Sequence, residues 1–290
     1  MLQPKYNRPS KLLLLLETRA LVELGASFPA RQLLKDLPRG DGHPVLVFPG
    51  FLANDLSTRV LRRFLRDLGY VPERWTLGAN RGYSEELDHR MQQRLRDVYE
   101  KHGRKVSIIG WSLGGVYARE VARALPEYVR QVITMGSPFG GAATSTNVTW
   151  IYDLVCDEKT ADIDPRLLER LGEAPPVPST AIFTRSDGVV AWQACREPHP
   201  GAFNESVEVK GTHCGLGFNP LVFHVIADRL VQPQEAWRPF LATGWRAALF
   251  PEADNVQKGS ETPWTKATAT LDDAISRLDL LLANKVPEGS

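Results

Sequence analysis

The 290-residue chain reads as an α/β protein: a mostly parallel central sheet with helices on both faces and an inserted lid. Three observations predict this. From His43 onward, short runs rich in Val, Ile and Leu alternate with stretches whose apolar residues recur every three or four positions, as strands alternating with covering helices do. Gly110-Trp111-Ser112-Leu113-Gly114 falls between one such strand and one such helix. The rhythm breaks once, over residues 140–179, a stretch too long for an ordinary connection.

In chain order, Lys11 and the five leucines 12–16 mimic the start of a signal peptide. Glu17, Arg19 and Glu23 end that run, which is too short for a secretory core or a membrane span. Residues 1–42 are therefore expected to be amphipathic helices packing on the core, with two pieces over 12–37 broken near 25–29. A catalytic domain follows over 43–250. Its first strand is 44–48, followed by a helix whose face is Leu61, Phe64, Leu65 and Leu68, then a short strand at 75–77. Leu87, Met91, Leu95 and Val98 repeat at helical spacing. Strand 106–109 precedes the serine and a helix over 116–125 follows it, with Val116, Val121 and Leu125 near one face. Strands at 129–135, 181–183 and 207–209 and a helix at 220–230 complete the domain.

The 140–179 insertion mixes Thr144, Ser145 and Thr146 with aromatic Trp150 and Tyr152 and leaves through Pro175, Pro176 and Pro178, a composition suited to a lid over an apolar site. Beyond Gln232, the residues Trp237, Phe240, Trp245 and Phe250 are expected to pack back on the domain. Residues 251–290 read as a linker and an amphipathic helix with the stripe Leu271, Ile275, Leu278 and Leu282. That helix could dock on its own domain, self-associate or touch an apolar surface.

A net charge of +1 with no basic patch argues against nucleic acid as a partner, and no transmembrane segment is expected. Cys156, Cys195 and Cys214 form neither a disulfide framework nor a Cys-x-x-Cys pair. Free thiols in a cytoplasmic protein are the expectation, with a Cys195–Cys214 bridge as the alternative because both fall near the loops discussed next.

A serine is a weak nucleophile until a base takes its proton and a carboxylate orients that base. On a sharp strand-to-helix turn, Ser112 is exposed at the sheet's end, and glycines two residues to either side leave room for strand and helix to approach. The partners should follow in the order acid, then histidine. His43, His89 and His102 precede the serine, His199 comes too early, and His224 lies within an apolar helix. His213, in Gly211-Thr212-His213-Cys214-Gly215 after the last strand, is the candidate base. Asp187, after strand 181–183 and before Gly188, is the candidate acid. Its bland alternative is an Asx-turn residue, and its rivals Asp153, Asp157, Asp162 and Asp164 all lie in the insertion. Two backbone amides should form an oxyanion hole: Leu113, after the nucleophile, and Phe51, in the loop after the first strand, with Leu52 second. Leu52, Trp111, Trp150 and Tyr152 are the candidate substrate contacts. The chemistry requires no metal and no organic cofactor.

The segments VFPGF (47–51), GWSLGG (110–115), MGSPFGG (135–141), TRSDGVV (184–190) and GTHCGLG (211–217) together resemble those of α/β-hydrolases of the lipase and esterase group, closest to bacterial lipase-like serine hydrolases. The resemblance spans residues 43–231. It implies Ser112 as nucleophile, Asp187 as acid, His213 as base, and Phe51 and Leu113 at the oxyanion hole. One departure is Pro49-Gly50 where many lipases carry His-Gly; the turn's backbone amides can still serve. The expected activity is hydrolysis of carboxylic esters, on a small-molecule or lipid substrate, through an acyl-enzyme on Ser112. Acyl transfer to an alcohol or amine would use the same triad. A non-catalytic binding module on this fold is the third alternative, against which the intact serine, acid and histidine argue.

Overall fold

The computed structural model describes residues 6–30, 34, 36–140, 170–199, 201–233 and 236–251. Its strands are β1 (Pro44–Phe48), β2 (Val71–Arg74), β3 (Val106–Trp111), β4 (Val129–Met135), β5 (Ser179–Phe183) and β6 (Asn204–Glu208). They form one sheet in the order β2-β1-β3-β4-β5-β6, with every neighbouring pair parallel. The helices are α1 (Lys11–Leu16), α2 (Ala20–Ala30), α3 (Arg59–Leu68), α4 (Glu85–His102), α5 (Leu113–Ala124) and α6 (Pro220–Val231).

Strand β1 explains the two-sided cover. All five of its residues are buried, because successive side chains point to opposite faces and both faces are capped. Val45 and Val47 join a core with Ile109, Ile133 and Ile182, closed by Leu61, Leu65 and Leu68 of α3 and Val222, Phe223 and Ile226 of α6. Leu46 and Phe48 join the opposite core with Val106, Ile108 and Val132, closed by Met91, Leu95 and Val98 of α4 and Val121 and Ala122 of α5. Each such side chain contributes roughly 1.5–3 kcal/mol when fully buried. Phe64 and Phe223 stack at 4.3 Å where α3 meets α6. The helix ends follow their sequence. Ser84 caps α4 by accepting from Leu87 N–H, acidic Glu85, Glu86 and Asp88 occupy its first turn, and Gly103 in the left-handed region ends it. Asn219 caps α6, with Pro220 at its first position.

Several expected elements move. The second strand is Val71–Arg74 rather than 75–77. The Asp55 carboxylate accepts the amides of Trp75 and Thr76, so the chain leaves the ladder there, and Trp75 is buried beside Phe48. β5 and β6 begin earlier than expected, at Ser179 and Asn204, and pair in register. Helix α5 starts at Leu113, three residues before 116, directly after the turn at Ser112. The N-terminal helices do not break near 25–29. α2 runs through Gly25 and Pro29, and the interruption is a 3-10 turn at Glu17–Arg19, where Glu17 turns inward.

Residues 141–169 of the expected lid lie outside the described residues, and with them Trp150, Tyr152, Asp153, Cys156, Asp157, Asp162 and Asp164. So do residues 252–290, including the stripe Leu271 to Leu282. Among the described residues no helix is long and apolar enough to cross a membrane.

Candidate active site

The site forms at the carboxyl ends of the central strands, where an open parallel sheet leaves loops facing one another. β3 ends at Trp111 and α5 begins at Leu113, so Ser112 alone makes the reversal, at φ 54° and ψ −126°. A non-glycine residue in this region carries about 1–3 kcal/mol of strain and persists only where its surroundings impose it. They do. Ser112 N–H donates to Met135 O at 2.8 Å, and its carbonyl accepts from Gly115 N–H at 2.9 Å. A Cβ on Gly110 would overlap Gly115 Cα, and one on Gly114 would stand 2.5 Å from Pro49 O. Strand, helix and the 49–51 turn therefore touch backbone to backbone, as the motif's spacing requires.

That turn stands against the serine: a Cβ on Gly50 would be 3.2 Å from Ser112 Cβ. Fully buried Asn80 fixes it. Asn80 Nδ2 donates to Pro49 O at 3.0 Å, its N–H donates to Ala53 O at 2.8 Å, and its carbonyl accepts from Leu52 N–H at 2.7 Å. The Leu52 amide, the second candidate donor of this turn, is thus engaged. The Leu52 side chain is 48% exposed, on a backbone with φ 58°. Leu113 opens α5, so its N–H has no carbonyl to bond within the helix.

Asp187 and His213 face each other from the loops after β5 and β6. Asp187 Oδ1 accepts from Val189 and Val190 N–H at 2.9 and 2.7 Å, while Oδ2 lies 2.6 Å from His213 Nδ1. One carboxylate oxygen makes the Asx turn and the other meets the imidazole. Thr184 Oγ1 and Ser186 Oγ both donate to Gly211 O, at 2.8 and 2.7 Å, tying the Asp187 loop to the His213 loop. Burial would lower the His213 pKa. The Asp187 charge and hydrogen bond, with the Glu17 charge, outweigh it and hold the imidazole above its ordinary value.

Ser112 and His213 meet around one peptide. Met135 O takes the Ser112 amide, and a Cβ on the next residue, Gly136, would stand 2.9 Å from His213 Nδ1. Among the described residues, no hydrogen bond joins Ser112 Oγ to the imidazole; in unliganded enzymes this contact is often loose and tightens around substrate. Trp111 Nε1 donates to His213 O at 3.2 Å, and its ring packs where Gly217 leaves space and against the core. Cys195 is buried and Cys214 exposed, and both are free thiols. His102 is engaged by Glu73 at 2.8 Å, and His224 lies beside Phe240 and Phe250.

Two residues at the site escaped sequence reasoning. Asn80 lies in a loop with no motif. Glu17 reads only as the end of a leucine run, yet its carboxylate accepts the amides of Gly188, His213 and Cys214. For Glu17 the available signal was a charge interrupting an apolar helix face.

No family model matches the sequence, and no curated protein does. Solved structures do match. Lipase B of Aspergillus fumigatus superposes with a TM-score of 0.52 at 18% identity, over 68% of this chain and 55% of its own. The mature lipase of Bacillus licheniformis gives 0.50 at 16% identity, over 68% of this chain and 95% of its own. A metagenome-derived lipolytic enzyme gives 0.50 at 15% identity, over 67% and 93%. At such identities the likeness speaks to the fold alone, and that fold is shared.

Proposed function

We propose that this chain, which has the α/β-hydrolase fold, is a serine hydrolase that cleaves carboxylic esters through an acyl-enzyme on Ser112. The observation that carries the reading is the strained backbone of Ser112 just past β3, across the Met135–Gly136 peptide from an imidazole that Asp187 meets at 2.6 Å. The names of the neighbouring structures, lipases and a lipolytic enzyme, favour the same class.

In this reading, Ser112 Oγ attacks the ester carbonyl as His213 Nε2 takes its proton. The carbonyl electrons move to oxygen, which the Phe51 and Leu113 amides stabilise. The imidazolium, supported by Asp187, returns the proton to the departing alkoxide, and an alcohol leaves. Water then attacks the acyl-serine, giving up a proton to His213, and the carboxylic acid is released as Ser112 regains its hydrogen. Leu52 and Trp111, with Trp150 and Tyr152 of the insertion, are proposed to favour an apolar acyl group from a small-molecule or lipid ester.

Hydrolysis of nitrophenyl esters of graded acyl length, with Ser112→Ala as control, tests this. Turnover by the wild type that is abolished in Ser112→Ala is expected. Undiminished turnover in Ser112→Ala, or none by the wild type on any ester, contradicts it.

A further inference from the structure

We infer that Glu17 is a positioning residue of this site: from the N-terminal segment, its one carboxylate holds the acid loop and the base loop in register. The inference rests on the reading of Ser112, Asp187 and His213 as a triad.

Glu17 lies in the 3-10 turn between α1 and α2 and is only 9% exposed. Oε1 accepts from Gly188 N–H at 2.8 Å and His213 N–H at 3.0 Å, and Oε2 accepts from Cys214 N–H at 2.9 Å. Gly188 follows Asp187 directly, and Cys214 follows His213. The carboxylate thus bridges the two loops whose side chains make the 2.6 Å Asp187–His213 contact. A buried carboxylate is costly unless donors meet it, and three backbone amides do.

The receiving loops are shaped for this segment. A Cβ on Gly188 would overlap Leu13 O and stand 2.7 Å from Leu14 N; one on Gly215 would overlap Glu23 Oε2. Glu23 Oε2 also accepts from Thr212 Oγ1 at 2.9 Å, one residue before His213. The glycines that look like ordinary loop residues in TRSDGVV and GTHCGLG are where the N-terminal helices pass. The inward turn of Glu17 also accounts for the break in helical geometry at Glu17–Arg19.

The consequence is geometric and electrostatic. Tethering both loops fixes the imidazole's orientation as protons move, and a misplacement of about 1 Å at such a group can cost 10²-fold in rate. The charged groups facing His213 are Asp187 from the loop after β5 and Glu17 from the N-terminal turn, with the Cys214 thiol adjoining and Glu23 beyond it. Glu17 adds a second negative charge that favours the imidazolium.

The test compares full-length wild type, Glu17→Gln and Glu17→Asp, counting active sites by stoichiometric labelling with a fluorophosphonate so that misfolded protein is excluded from kcat. Glu17→Gln is expected to lower kcat per labelled site roughly 10- to 100-fold with little change in KM. The acid limb of its kcat/KM profile should move to lower pH, because the imidazole loses a stabilising charge. Glu17→Asp keeps the charge and loses reach, so its acid limb should stay in place with a smaller fall in kcat. Wild-type kcat per labelled site and an unmoved acid limb in Glu17→Gln overturn the inference, whatever the thermal midpoint does. If Glu17→Gln does not fold, Glu17→Asp decides: reduced kcat per labelled site supports the inference, and a wild-type value overturns it. A wild-type chain that neither labels at Ser112 nor hydrolyses ester defeats the serine-hydrolase reading instead.

Discussion

Ser107 within strand β3 and Ser112 just past its end are each associated with a histidine–aspartate pair, and the comparison separates a structural network from a candidate site. At the amino end, Ser107 Oγ lies 2.9 Å from His43 Nε2, while His43 Nδ1 meets Asp41. At the carboxyl end, Ser112 N–H donates to Met135 O, the next residue Gly136 faces the His213 ring, and His213 meets Asp187. As a hydrogen-bonded chain, the amino-end set is the more complete. Yet Ser107 and His43 are fully buried, and Ser107 is paired with a strand on both sides. Burial, with Arg130 and Arg104 opposing Asp41, pushes the His43 pKa down to about 4. It is a neutral imidazole satisfying a buried hydroxyl. His213 is shifted upward instead, and Ser112 leaves the strand in a conformation that presents its hydroxyl. Connectivity does not make a nucleophile; a strained turn at the strand's carboxyl end, open to a reactant, is what the second set adds.

Paired substitutions sharpen this contrast. Ser112→Ala should remove ester turnover almost entirely, on the order of 10⁶-fold. Ser107→Ala should leave kcat per labelled site unchanged and cost about 1–3 kcal/mol in denaturant unfolding, because His43 loses a partner. Next in size, Asp187→Asn should lower kcat roughly 10³- to 10⁴-fold, since the imidazole loses its orienting acceptor, whereas Asp41→Asn should not change kcat. Equal losses from the two asparagine variants would erase the distinction. Asn80→Ala, which frees the 49–53 turn behind the proposed oxyanion position, should reduce kcat about tenfold, well short of losing a direct donor. A steady-state assay on one soluble ester reads all of these.

A further contrast, in stability and not in turnover, is the pH dependence of folding, whose sign differs between the two histidines. For His43, the folded pKa of about 4 lies below the ordinary 6.5, so the unfolded chain binds the proton first. Its contribution is therefore lost as pH falls from about 6.5 to 4, amounting to roughly 3 kcal/mol at 1.4 kcal/mol per unit. For His213 the folded pKa is raised, so its contribution is present at low pH and lost as pH rises through the raised value. Denaturant unfolding across pH, with His43→Gln and His213→Gln, should show these opposite slopes disappear one at a time.

Much of this was legible in the sequence because it is local. The elbow needs six consecutive residues, and the helix faces of α3 and α4 follow from spacing within two or three turns. Asp187 and His213 each lie in the loop a few residues after a strand and stand near a glycine. What was not legible is long-range or competitive. Glu17 meets Gly188 and His213 across 171 and 196 residues, and no local pattern encodes that contact. The same inward turn put the N-terminal break eight residues before Gly25. The second strand was misplaced because Trp75 is as apolar as a strand residue, while Asp55, twenty residues earlier, captures its amide.

The central claim is that Ser112, and not Ser107 or another serine, is the activated nucleophile. Labelling the full-length chain with a fluorophosphonate and mapping the adduct by peptide mass spectrometry tests it most directly. The account predicts one adduct, on Ser112, formed quickly in wild type and in Ser107→Ala, and slowed by orders of magnitude in His213→Ala. An adduct on another serine, or undiminished labelling of Ser112→Ala, would contradict it.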